Sequence, residues 1–189
     1  MPGDCPVHVT LRVKASLPSL REGGFVREWR RSLAEASERE SFRVAHYSLQ
    51  GNHAHLIVEA QGKQALACGM KSIAARLARA VNRVSGRSGA VLDGRYHHRS
   101  LRSPREVRRA LAYVLLNARR HLAKRRNATR AAVRLDGASS ARWFDGWRRD
   151  VASLAGAEES RPEVARPHTW LLRVGWRRHG LVDPAELPG

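Results

Sequence analysis

The stretch HAHLIVEA, residues 53–60, opens with two histidines one residue apart at the head of an apolar run. On a strand, residues i and i+2 project to one face, about 6–7 Å apart along the backbone. Two imidazoles at that spacing can close on one metal ion. The same pair also suits the polar edge of an ordinary strand, and the spacing alone does not separate the two readings. About sixty residues downstream, LAYVLLNARR sets Tyr113 and Asn117 at i and i+4, one turn apart on one helix face. Asn117 offers an amide oxygen, a hard ligand suited to Mg²⁺ or Mn²⁺. Paired with imidazoles, that oxygen is somewhat better matched to Mn²⁺. Tyr113 offers a nucleophile. Taken singly, Tyr113 also reads as a half-buried helix tyrosine and Asn117 as a surface polar residue.

These four side chains need a scaffold that faces them together. Residues 7–13, VHVTLRV, alternate and are β-branched, which predicts a strand. Residues 25–39 carry Phe25, Trp29, Leu33 and Ala36 at helical spacing. Two further strands are predicted at 42–49 and 53–60, joined by the turn residues Gln50, Gly51 and Asn52. A long helix follows at 63–84, with Leu66, Met70, Ile73, Leu77 and Val81 on one stripe. After a loop punctuated by Gly86, Gly89 and Gly94, a short basic strand is predicted at 95–101. Ser103, Pro104 and Glu106 spell a capping box with proline at the first helical position. The helix they start runs to about residue 122, with Val107, Leu111, Val114, Leu115 and Ala118 toward the core. The order is β-α-β-β-α-β plus one helix. That is an α+β, ferredoxin-like chain: an antiparallel sheet with two helices on one face and the other face free for a site. Ala54, Leu56 and Val58 then face the helices, and His53 and His55 face away from them.

The chain has 189 residues with 35 Lys and Arg against 17 Asp and Glu, a formal net charge of +18. Four of the 35 basic residues are lysines and 31 are arginines. Arginine presents a planar fork of donors that matches phosphate bidentately. A chain this basic points to a polyanionic partner, above all nucleic acid. Arg76, Arg79, Arg83, Arg95, Arg99, Arg102 and Arg109 are the candidate DNA contacts. The two cysteines, Cys5 and Cys68, lie far apart and form neither a disulfide framework nor a zinc knuckle, so a reducing setting is the default. No signal peptide is evident at the start, and no run reaches the ~18 apolar residues that would span a membrane.

GNHAHLIVE, then SGAVLDGRYHHRSL after a long basic helix, then LAYVLLNARR form a series that resembles the HUH endonuclease superfamily. It is most similar to the single-tyrosine transposases of the REP-associated branch, over roughly residues 7–122. The resemblance implies His53, His55 and Asn117 as ligands of Mg²⁺ or Mn²⁺ and Tyr113 as the nucleophile. It implies cleavage of single-stranded, hairpin-bearing DNA through a 5′-phosphotyrosine, by a monomer or homodimer in a bacterial-type cytoplasm, near the nucleoid. Two departures stand out: Gln50-Gly51 replaces the Met-Pro that often precedes this Asn-His, and Ala54 is small for its slot. Neither removes a ligand. No base is identified; His97 and His98 are candidates, with DNA contact as their other role. Rival readings are a catalytically silent nucleic-acid binder and a metal nuclease that uses water. Residues 1–130 are expected to form the nuclease domain. Residues 131–189 are expected to form an extension that packs on it or contacts DNA, with Trp143, Phe144 and Trp147 available either to stack on bases or to pack the extension onto the domain.

Overall fold

The computed structural model describes residues 5–126, 134–149, 151 and 161–188. Its elements are β1 (Val7–Arg12), α1 (Gly23–Ala34), β2 (Glu38–Arg39), β3 (Phe42–Leu49), β4 (His53–Ala60), α2 (Gly62–Val84) and β5 (His97–Ser100). These are followed by α3 (Pro104–Leu115), α4 (Asn117–Arg126) and α5 (Trp170–Arg173). Short 3-10 turns occupy Ala141–Trp143 and Gly175–His179. The sheet runs β2-β3-β4-β1-β5, with each neighbouring pair of these strands antiparallel. Without β2 this is the ferredoxin-like arrangement expected from the sequence. β2 was not foreseen. The helix expected over 25–39 stops at Ala34, and Glu38–Arg39 turns back to pair with Phe42 and Arg43.

The strand periodicity divides the core in two. Val7, Val9 and Leu11 of β1 and Ala54, Leu56 and Val58 of β4 share one face. Phe25, Trp29 and Leu33 of α1 and Met70, Ile73 and Leu77 of α2 cover it. Each such buried side chain contributes about 1.5–3 kcal/mol relative to exposure.

The opposite face is not free, contrary to the sequence-based expectation. Val107, Leu111, Val114 and Leu115 of α3 pack over Ala45 and Ile57, joined by Phe144, Trp147, Leu172 and Trp176 from the C-terminal part. A bulge between Val44 and His46 turns two successive residues of β3 to this side. An antiparallel sheet can leave one face in water; here an apolar patch on that face demanded a second layer. The C-terminal part also covers the edge of β3 that β2 is too short to reach. Leu49 N–H donates to Ala138 O, Ser140 N–H to Tyr47 O and Ala165 N–H to Val44 O. This satisfies an otherwise open strand edge.

Phe144 and Trp147 are therefore core residues, which is the packing alternative and not base stacking. The Trp143 indole N–H donates to buried Glu163, which also accepts from Tyr47 Oη at 2.8 Å. Among the described residues no helix is long and apolar enough to cross a membrane, and Cys5 and Cys68 are both free thiols.

Candidate active site

The head of β4 places the histidines by register. His53 stands opposite Arg12 and His55 opposite Thr10 on β1, and on the other side His55 stands opposite Ser48 of β3. All of these project to the α3 face of the sheet. The two imidazoles meet edge to face with centroids 4.8 Å apart. Each ring has one nitrogen engaged. His53 Nδ1 lies 3.0 Å from Asn52 Oδ1. His55 Nδ1 lies 3.2 Å from both His8 Nε2 and Thr10 Oγ1. His55 Nε2 is buried and has no hydrogen-bond partner among the described residues.

α3 brings the tyrosine. Its start is fixed as the sequence predicted: Ser103 Oγ accepts from Glu106 N–H, the Glu106 carboxylate accepts from Ser103 N–H, and Pro104 takes the first position. Three turns later the half-buried Tyr113 ring sits edge-on to His55, centroids 5.1 Å apart, and 5.9 Å from His8. The single helix expected over 104–122 is broken at Leu116, where φ −108° and ψ 11° leave the helical range. Asn117 opens α4 one residue later. Its side chain is buried, and neither amide atom has a partner.

A buried polar atom without a partner costs stability and calls for an explanation. Among the described residues His55 Nε2 and both Asn117 amide atoms are in that state, and the His53 imidazole lies against His55. Among the described residues no group of three His, Cys, Asp or Glu side chains could hold a metal. The chemistry these side chains offer is two imidazole nitrogens and an amide oxygen, a donor set suited to Mn²⁺ or Mg²⁺. The electrostatics agree with a ligand role. Burial first, then His8, His53, His121 and Arg12, hold His55 down at about 3. Burial, with Arg12 and His121, lowers His53 as well. Burial and Arg99 hold His8 at about 4. All three rings are neutral at pH 7, and neutral imidazole is the form that ligates.

The candidate arginines separate by location. Arg99 stands opposite His8 on β5 and so shares the site's face. Exposed Arg109 precedes Tyr113 by one turn of α3. Arg95 and Arg102 are exposed at the two ends of β5, and Arg102 N–H also donates to Glu106. Arg76, Arg79 and Arg83 are not brought to this face. They lie on α2, in the layer behind the sheet, where Arg76 pairs with Glu35 and Arg83 with Glu28 of α1. The register also parts the two candidate bases. His97 stands opposite Thr10 on the site's face; His98 stands opposite Val9, on the other.

Several neighbours escaped sequence reasoning: His8, Thr10, Arg12, Arg120 and His121. The Arg120 guanidinium lies 5.4 Å over the Tyr113 ring. His121 is exposed one turn past Asn117, close enough for its charge to reach both His53 and His55. A signal existed for the first three. In VHVTLR they are the polar side of an alternating strand, and only its pairing with β4 gives them a target.

No protein-family model matches the chain, and no curated protein matches it. Among solved structures, the fold is similar to that of a REP-associated tyrosine transposase bound to a REP hairpin. The identity is 13%, over 62% of this chain and 68% of that one, with a TM-score of 0.51. At that identity the likeness is one of fold.

Proposed function

We propose that this chain is a single-tyrosine nuclease and strand transferase of the HUH kind, a transposase-like enzyme acting on single-stranded DNA that carries a hairpin. The observation that carries the reading is the Tyr113 ring 5.1 Å from His55, whose buried Nε2 has no partner among the described residues; the buried Asn117 amide, four residues on, is likewise unsatisfied. The fold likeness to a tyrosine transposase holding a REP hairpin supports the substrate class. The net charge of +18 supports a polyanion.

His53, His55 and Asn117 would hold Mg²⁺ or Mn²⁺, which when bound supplies charge neutralisation and orientation at the scissile phosphate. Tyr113 Oη attacks phosphorus. The new Oη–P bond replaces the bond from phosphorus to the 3′ oxygen, which leaves as a 3′-hydroxyl while the phenol proton is given up. The product is a 5′-phosphotyrosine. It keeps the phosphodiester's bond energy, so attack by another 3′-hydroxyl rejoins strands without a nucleotide cofactor. Arg120 puts a fixed positive charge beside the Tyr113 ring, and Arg12, Arg99 and Arg109 extend that charge along the approach of the strand.

The test is incubation with hairpin-bearing single-stranded DNA and Mn²⁺, read as an SDS-resistant adduct. The proposal expects an adduct with the natural chain and none with Tyr113→Phe, which still binds DNA. Cleavage without an adduct would indicate a nuclease using water. Binding with neither cleavage nor adduct would indicate a silent binder.

A further inference from the structure

We propose that His8, on β1, is a positioning residue that holds His55 in the one tautomer able to act as a ligand. The role as a metal-site support rests on the reading above; the tautomer itself does not.

Two ring nitrogens, His8 Nε2 and His55 Nδ1, lie 3.2 Å apart. At that distance one must carry hydrogen and the other a lone pair. If His8 donates, the proton of His55 resides on Nε2. That nitrogen is buried with no acceptor in reach among the described residues, so the N–H is stranded and no cation can bind there. If His55 donates from Nδ1, it finds two acceptors, His8 Nε2 and Thr10 Oγ1. Its Nε2 then presents a lone pair toward the site. Only the second arrangement makes His55 a ligand. Ligating histidines commonly donate their other N–H to a fixed acceptor, usually a carboxylate or a carbonyl. Among the described residues no acid is hydrogen-bonded to His55, and a second imidazole takes that place.

The sheet fixes the geometry. His8 stands opposite Ile57 on β4 and Arg99 on β5, so its ring is held between two paired strands. It lies 5.2 Å from the His55 ring and 5.9 Å from the Tyr113 ring, centroid to centroid. One side chain therefore abuts both a candidate ligand and the candidate nucleophile. His8→Phe keeps the ring and removes both nitrogens. His8→Gln restores an acceptor without the ring.

The experiment has two readouts. The first is the tautomer of His55 in metal-free protein, from two-dimensional ¹⁵N–¹H NMR of histidine-labelled chain, with the His55 signal identified by its loss in His55→Gln. The expected result is Nδ1–H in the natural chain, Nδ1–H lost or mixed in His8→Phe, and Nδ1–H recovered in His8→Gln. The second is Mn²⁺ affinity without DNA, from the free-ion electron paramagnetic resonance signal. His8→Phe is expected to weaken it by about 10–100-fold, with His8→Gln recovering most of the loss. An Nε2–H tautomer in the natural chain would overturn the proposal. So would an unchanged tautomer and unchanged Mn²⁺ affinity in His8→Phe. If the natural chain binds no Mn²⁺ but its Nδ1–H tautomer still depends on His8, the positioning role stands and the metal reading falls.

Discussion

Asn117 carries both amide atoms into a buried place where no described residue offers them a hydrogen bond. Such an arrangement costs stability and persists where function requires it. Asn117→Leu should therefore raise stability in EDTA by about 1 kcal/mol while abolishing Mn²⁺-dependent cleavage. Urea denaturation of the two proteins checks this, and a destabilised leucine variant would contradict it. At this scale part of the candidate site was legible. His53 and His55 share a face because a strand repeats every two residues, and Tyr113 lies on the capped helix expected for it; Asn117, expected on that same helix, instead opens α4 beyond the break at Leu116. His8 was not legible as a neighbour of His55. Their contact depends on a register between β1 and β4, a pairing across 47 residues that no local pattern encodes. The arginines of α2 misled for a related reason. Charge on a helix says nothing about which side of the sheet the helix covers, and Arg76 and Arg83 are ion-paired to α1.

Helix α3 delivers Tyr113, and its start is set by the Ser103–Glu106 capping box. Ser103→Ala removes the acceptor for Glu106 N–H and should cost about 1 kcal/mol. Thermal unfolding should show a lower midpoint; an unchanged midpoint would mean the packing of Val107 and Leu111 alone fixes the helix start. The cap was readable because capping is local chemistry. The break at Leu116 was not, because the apolar pattern continues through it and Leu116 N–H still bonds to Ala112 O. β2 and the edge-covering C-terminal part were equally hidden. Their bonds to β3 join residues far apart in sequence, and Glu38–Arg39 has no strand-like composition.

The whole molecule is a basic body whose charge is unevenly distributed in function. If DNA crosses the α3 face, Arg12→Ala, Arg99→Ala and Arg109→Ala should each lower the salt slope of DNA binding by about 0.7–0.9. Arg76→Ala and Arg83→Ala should leave it unchanged. Equal effects on both sets, measured by fluorescence anisotropy over a salt series, would place the DNA elsewhere. Acid should also loosen the fold. His46 is buried against Phe144, and desolvation holds it at about 4, below the ordinary 6.5. The unfolded chain takes up this proton first, so the stability His46 contributes is full above pH 6.5 and is lost as pH falls through 4. The loss is on the order of 3 kcal/mol. His8 and His55 titrate in the same window, so the contribution of His46 is read as the smaller pH dependence of His46→Gln in urea denaturation. The central claim, that Tyr113 carries the strand, has one direct measurement: trypsin digestion of the DNA adduct followed by mass spectrometry. The account predicts a 5′-phosphorylated nucleotide on Tyr113, within the peptide of residues 110–119. A nucleotide on any other residue, or cleaved DNA with no modified peptide, would contradict it.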